Sequence, residues 1–175
     1  MLTWEASAQD RLDTQSGTGG RLPHRSQITW SRQEPKVVIV DGKAYDIGYG
    51  NPGGMNDCLI DSLRQCLGLD TNSRKVRDDL MKDFAEALDQ RARVTENSFL
   101  DLESHWRRLL QSLFMHNASG IPRDCDLESY CVISLYTHNG TDSANGLVVG
   151  NIMARNRLVV MNTSDVHFDP CLPRD

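Results

Sequence analysis

The chain has 175 residues, of which 39% are hydrophobic and 25% charged, a composition typical of one folded domain. With 19 lysines and arginines against 24 aspartates and glutamates, the net charge is -5, which disfavours a dedicated nucleic-acid binder because such proteins carry a basic surface. No stretch approaches the roughly 20 apolar residues of a membrane-spanning helix, so we expect neither a nucleic-acid nor a membrane partner.

The first part of the chain has the composition of a tail. Residues 1–34 are rich in glycine, serine, threonine and glutamine and show no sustained periodicity. Such a segment buries too little apolar surface to offset its ordering entropy, so we predict a flexible polar leader before one domain over residues 35–175. Trp4 and Trp30 are exceptions, and either can anchor a short strand onto the domain.

The same segment bears on location. About the first twenty residues lack an apolar stretch after a basic start, so we expect no secretory signal peptide. The predicted location is therefore cytoplasmic, or the cytosol of a host cell if the protein is an effector.

The first ordered elements are predicted from local signals. Residues 37–47 contain two β-prone runs joined by Asp-Gly, a strong hairpin signal. Residues 48–54 form a loop with four glycines, and residues 58–67 have the apolar spacing of a helix that stops at a glycine. Apolar stripes predict two more helices, over residues 73–88 and 96–116.

The last third of the chain changes character. Three short β-prone runs lie within residues 131–161, separated by glycine, asparagine and aspartate as turns require. The order of hairpin, helices and then strands predicts an α+β fold with helices packed on a mainly antiparallel sheet.

Cysteine usage argues against disulfides and metal. The number of cysteines is odd, and none forms a C-x-x-C pair, so the spacing supports neither a disulfide framework nor a zinc site. We expect reduced thiols, no metal and no cofactor. The cysteines are Cys58, Cys66, Cys125, Cys131 and Cys171.

Cys58 stands where a helix is predicted to begin, directly after the glycine-rich loop. Backbone N–H groups and the helix dipole at this position favour a thiolate, which is the nucleophilic form of cysteine. The same N–H groups can donate to the oxyanion that forms when a thiolate attacks a carbonyl. For a single cysteine, however, the more frequent role is that of a buried structural thiol.

His167 begins a His-Phe-Asp sequence after the last β-prone run. In an extended segment residues two apart point the same way, so His167 and Asp169 share a face and Phe168 packs on the other. An aspartate beside an imidazole fixes its tautomer and favours the imidazolium. These residues predict a catalytic Cys58, His167 and Asp169, with Asp165 in place of Asp169 if the chain bends before His167.

Two short motifs resemble one known family. Residues 56–63, NDCLIDSL, are similar to the nucleophile motif of the OTU (ovarian tumour) family of papain-like cysteine deubiquitinases. Residues 167–169 are similar to that family's late strand ending in His-aromatic-Asp/Asn, and residues 126–136 resemble the segment between the two motifs. The resemblance covers residues 36–170 and implies an OTU or papain-like fold, with a central, mainly antiparallel sheet flanked by helices.

The resemblance also implies an activity. We expect a monomeric cysteine isopeptidase that hydrolyses the bond after the C-terminal glycine of ubiquitin or polyubiquitin through a Cys58 thioester, while His167 protonates the departing lysine amine. Asn56 and the backbone of Asp57 are the expected oxyanion donors. The residues expected to line the cleft for the ubiquitin tail are Gly53, Gly54 and Phe168.

Three positions before the nucleophile bear on this interpretation. Met55 stands where the family has an aspartate and Asn56 where it has a glycine, while Asp57 places a negative charge beside the predicted thiolate. Two other functions therefore stay open. One is a papain-like protein glutamine deamidase or transglutaminase, which uses the same thioester chemistry, and the other is a non-catalytic ubiquitin-binding module.

Overall fold

Along the chain, three strands are followed by three helices and then by four further strands. The structure is a computed structural model, and it describes residues 2–6, 37–53, 57–89, 96–138, 144–164 and 166–174. Within them the elements are β1 (Leu2–Trp4), β2 (Val37–Val40), β3 (Lys43–Ile47), α1 (Cys58–Leu67), α2 (Ser73–Asp89), α3 (Glu96–Met115), β4 (Tyr130–Thr137), β5 (Asn145–Gly150), β6 (Asn156–Thr163) and β7 (His167–Pro173).

The predicted hairpin is present. β2 and β3 pair antiparallel, with Val40 opposite Lys43. Asp41 and Gly42 between them have φ angles of 46° and 81°, both in the left-handed region. A two-residue turn of this kind matches the twist of the flanking strands, which explains why the Asp-Gly signal was reliable.

All seven strands belong to one mixed sheet, in the order β1-β2-β3-β7-β6-β4-β5. β1 pairs parallel to β2 and β4 parallel to β6, whereas the other neighbours are antiparallel. The sheet curves into a nearly closed barrel. Its two edge strands meet where the indole of Trp4 in β1 covers Gly146 in β5, because a Cβ on that glycine would lie 2.3 Å from Trp4 Nε1.

The expected architecture is therefore wrong. A nearly closed mixed barrel replaces the central, mainly antiparallel sheet flanked by helices that the OTU or papain-like fold implied. The direction of pairing between strands distant in sequence is set by tertiary packing, and no local periodicity encodes it. Trp4, a predicted anchor for a short strand, lies in β1. Trp30 and most of the predicted leader lie outside the described residues.

Alternating side chains give the sheet two apolar faces. In β4, Ile133 and Leu135 belong to an apolar cluster that also contains Leu2, Trp4 and residues of the other strands. This cluster fills the interior of the barrel. Val132, by contrast, belongs to a second cluster shared with the helices, in which Ile60 and Leu63 of α1 and Trp106 of α3 are fully buried. The helices thus pack on the outside of the curved sheet, and α1 contacts β6 and β7.

We predict that Gly146→Ala destabilises the protein by about 1–3 kcal/mol, because its Cβ overlaps the Trp4 indole. In a Trp4→Ala background the same change should cost much less, since the indole is gone. The free energy of unfolding of the four variants in urea measures this coupling. Equal costs in both backgrounds would show that the barrel edges do not meet through this contact.

Candidate active site

The predicted nucleophile and base begin two neighbouring elements. Cys58 is the first residue of α1, and His167 is the first residue of β7. Their side chains are joined by a hydrogen bond although 109 positions separate them in the sequence. Both are buried, with 3% of Cys58 and 7% of His167 exposed. The fold therefore brings the sulfur and the imidazole together at the N-terminus of α1, where the helix dipole favours a thiolate.

Asp169 orients the imidazole. His167 Nε2 lies 2.8 Å from Asp169 Oδ1, as expected for two residues on the same face of a strand. Because Nε2 faces this carboxylate, Nδ1 is the ring nitrogen that remains for Cys58 Sγ. Asp165, the alternative orienting acid, lies outside the described residues.

The surroundings of His167 favour the imidazolium. Burial lowers its pKa, but hydrogen bonds to Asp169 and Cys58 and the charges of both groups outweigh that cost. The net effect raises the pKa of His167 from 6.5 to about 9. At neutral pH the ring is thus protonated and suited to pair with a thiolate and then donate a proton.

The glycine-rich loop supplies a second donor to the orienting acid. The Gly50 N–H donates to Asp169 Oδ1 at 2.9 Å. A Cβ on Gly50 would lie 2.1 Å from the carbonyl oxygen of Phe168, 2.5 Å from Ser62 Oγ and 2.9 Å from the carbonyl oxygen of Cys58. Only a glycine lets the loop backbone enter between α1 and β7.

Polar side chains of α1 hold this loop. Asp61 accepts a hydrogen bond from the Asn51 N–H (2.8 Å), and Gln65 Nε2 donates both to the Tyr49 carbonyl (2.7 Å) and to Asp61 (2.8 Å). Arg64 Nε also donates to Asp61, at 3.0 Å. Asp61 and Gln65 are four residues apart and therefore share a helix face. The loop is fixed relative to the helix that carries the nucleophile.

Tyr49 covers the imidazole from the solvent side. Its ring stacks on His167 with 5.4 Å between centroids and 28° between planes, while 52% of the tyrosine stays exposed. Stacking restricts rotation of the imidazole.

Of the two expected oxyanion donors, Asp57 lies in the described part of the chain. The Asp57 N–H donates to the Pro52 carbonyl at 2.8 Å, so in this structure that donor is already used. The Asp57 side chain forms a buried ion pair with Arg77. Asn56 lies outside the described residues.

Of the expected cleft residues, Gly53 and Phe168 lie in the described part of the chain. Gly53 is exposed in the loop and has a φ of 56°. Phe168 is 2% exposed and packs in the cluster between sheet and helices, because strand alternation turns it away from His167 and Asp169. Gly54 lies outside the described residues.

The structure adds residues that the sequence did not single out. Tyr49, Asp61, Gln65 and Arg77 each contact the loop or the residues beside Cys58. The four-residue spacing of Asp61 and Gln65 was a usable signal for a shared helix face, whereas nothing local marked Arg77.

No family model matches the chain, and no curated protein matches its sequence. In the parts of the chain that the structure describes, no helix is both long enough and apolar enough to cross a membrane.

We predict that Gly50→Ala slows alkylation of Cys58 by iodoacetamide at pH 7 by at least about tenfold and destabilises the protein by about 1–3 kcal/mol. The reason is that its Cβ would force α1 and β7 apart. Gly53→Ala is the control, because a Cβ there meets only Asp57 Oδ2 at 3.7 Å and the strain is confined to its positive φ. Alkylation at the wild-type rate in Gly50→Ala would contradict this role.

We also predict that the His167 imidazole, followed by NMR, titrates near pH 9 and at lower pH in Asp169→Asn and in Cys58→Ala, since both contacts raise its pKa. Because the folded-state pKa lies above 6.5, the imidazolium stabilises the fold fully below that pH. This contribution is lost as the pH rises through about 9. The corresponding fall in the free energy of unfolding between pH 6.5 and 9 should be absent in His167→Gln.

Proposed function

We propose that this chain is a cysteine isopeptidase that hydrolyses the bond after the C-terminal glycine of ubiquitin or polyubiquitin. The observation that carries the proposal is the hydrogen-bonded series from Cys58 to His167 to Asp169, with 2.8 Å between imidazole and carboxylate. A thiol, a base and an acid that orients the base form the arrangement that nucleophilic acyl transfer requires.

The chemistry follows from these positions. The Cys58 thiolate attacks the carbonyl carbon of the terminal glycine, and the resulting oxyanion lies at the N-terminus of α1. The intermediate collapses when the His167 imidazolium gives its proton to the lysine amine, which leaves as the C–N bond breaks. The neutral imidazole then takes a proton from water, whose oxygen attacks the thioester, and Cys58 departs as a thiolate with release of a glycine carboxylate.

The choice of ubiquitin depends on the site and not on the architecture. Residues 56–63 and 167–169 resemble the two OTU motifs, and Cys58 and His167 of these motifs meet at the candidate active site. Cys58 is only 3% exposed, so a substrate must approach with a slim segment. The Gly-Gly tail of ubiquitin has no side chains and meets this requirement. We place the protein in the cytosol, where ubiquitin conjugates occur, as a monomer without nucleic-acid or membrane partners.

A protein glutamine deamidase or transglutaminase is the second candidate. Its thioester chemistry requires the same hydrogen-bonded arrangement of Cys58, His167 and Asp169. A side-chain carboxamide is also slim enough to reach a buried sulfur, and ammonia would leave in place of the lysine amine. A non-catalytic ubiquitin-binding module is less favoured, because the Gly50 N–H and the stacked Tyr49 hold the His167 and Asp169 pair in a working geometry.

We predict that a ubiquitin probe with a C-terminal electrophile forms a covalent adduct with the wild-type protein and none with Cys58→Ala. His167→Gln should slow the reaction by about 100-fold or more, because the imidazolium no longer pairs with the thiolate. Intact-protein mass spectrometry measures the adduct. Cys125→Ser, which removes an exposed thiol, is the matched control and should react at the wild-type rate.

The other outcomes separate the alternatives. Absence of the adduct with ammonia release from a protein glutamine would favour the deamidase. Ubiquitin binding with neither an adduct nor cleavage of di-ubiquitin would favour the binding module.

A further inference from the structure

Arg77 is a fully buried arginine that reaches the nucleophile's helix from the neighbouring helix α2. It is 2% exposed, and its Nε donates to Oδ1 of Asp57, which is itself 4% exposed. Asp57 directly precedes Cys58. Burial of such a charge pair has a considerable desolvation cost, so its position beside Cys58 indicates a role in the site.

Asp57 occupies the N-cap position of α1, yet it does not act as a cap. An aspartate there normally accepts hydrogen bonds from the first backbone N–H groups of the helix. Here the Asp57 side chain makes no capping hydrogen bond, and its carboxylate turns to Arg77 instead. Its backbone is fixed from both sides, because its N–H donates to Pro52 and its carbonyl accepts from the Asp61 N–H.

The direction of this carboxylate matters for the sulfur. A carboxylate that capped α1 would place a negative charge on the N–H groups that stabilise the thiolate and the oxyanion. Two other charged groups near Cys58, among the residues that the structure describes, have partners: His167 of β7 is bound to Asp169, and Asp61 of α1 is bound to Arg64. Arg77 is a charged group that α2 contributes.

We propose that Arg77 is a positioning residue of the active site, which draws the Asp57 carboxylate off the helix cap and neutralises it, so that the N-terminus of α1 serves the Cys58 thiolate and the oxyanion. The inference rests on the proposed function, since it assumes that Cys58 works as a thiolate. It assigns a role to a departure from the family pattern, the acidic residue beside the nucleophile.

The test is the pH dependence of Cys58 alkylation by iodoacetamide, followed on the Cys58 peptide by mass spectrometry. This readout requires no ubiquitin. Burial raises the pKa of Cys66 to about 12 and that of Cys131 to about 11, and that of Cys171 also lies well above its usual value. A Cys125→Ser background removes the exposed thiol, so that alkylation reports on Cys58.

Two single variants should move the alkylation midpoint in opposite directions, and their combination should cancel the shifts. Arg77→Gln frees an uncompensated Asp57 carboxylate and should raise the midpoint by about one pH unit or more. Asp57→Asn leaves the arginine uncompensated and should lower the midpoint. The double variant carries neither charge and should return close to the wild-type midpoint.

Arg108→Gln is the matched control, because Arg108 forms an ion pair with Asp79 at 3.0 Å that joins α3 to α2. Its alkylation midpoint should equal that of the wild type. If Arg77→Gln does not fold, the test compares Asp57→Asn with the double variant. The inference then requires a lower alkylation midpoint in Asp57→Asn than in the double variant.

Equal midpoints in all folded variants, or shifts of the same sign in both single variants, would overturn the inference and leave Arg77 a structural residue. Opposite shifts without any ubiquitin-probe adduct would support the role of Arg77 and change only the substrate. A probe adduct with unmoved midpoints would overturn the inference alone.

Discussion

The candidate site is organised around one carboxylate oxygen. Asp169 Oδ1 accepts both from His167 Nε2, at 2.8 Å, and from the Gly50 N–H, at 2.9 Å. Through it the glycine-rich loop, the imidazole and β7 share a single contact. His167 is also hydrogen-bonded to Cys58, so the orientation of the base and the position of the loop are set together. Loss of this oxygen would affect both at once.

Among the described residues, three buried carboxylates lie in the region around Cys58, and each is matched with donors. Asp57 pairs with Arg77, Asp61 with Arg64 and two amide groups, and Asp169 with the imidazole and a backbone N–H. Buried carboxylates without such partners would be protonated or destabilising. Because each charge is compensated locally, the positive end of α1 and the imidazolium dominate the environment of the sulfur.

The candidate site and the overall architecture depend on different structural requirements. The candidate site needs only that a helix and a strand begin side by side with a glycine loop between them, and this requirement is met in a barrel as well as in an open sheet. The expected OTU or papain-like architecture is wrong because the sheet curves into a nearly closed barrel, with Trp4 of β1 against Gly146 of β5. The pairing of His167 with Asp169 was predictable without the fold since it depends on side-chain identity and local spacing, whereas the contact of Cys58 with His167 depends on tertiary structure.

The sequence by itself determined the elements whose signals are local. The Asp-Gly turn, the apolar helix stripes and the two-residue spacing of His167 and Asp169 follow from backbone geometry and side-chain period, and all are present. Tertiary structure alone decided the rest: the parallel pairings, the contact of Trp4 with Gly146, and the pairing of Arg77 with Asp57. Each of these joins segments far apart in the chain, and their partners are selected by packing and charge compensation in the folded state, which no short window of sequence contains.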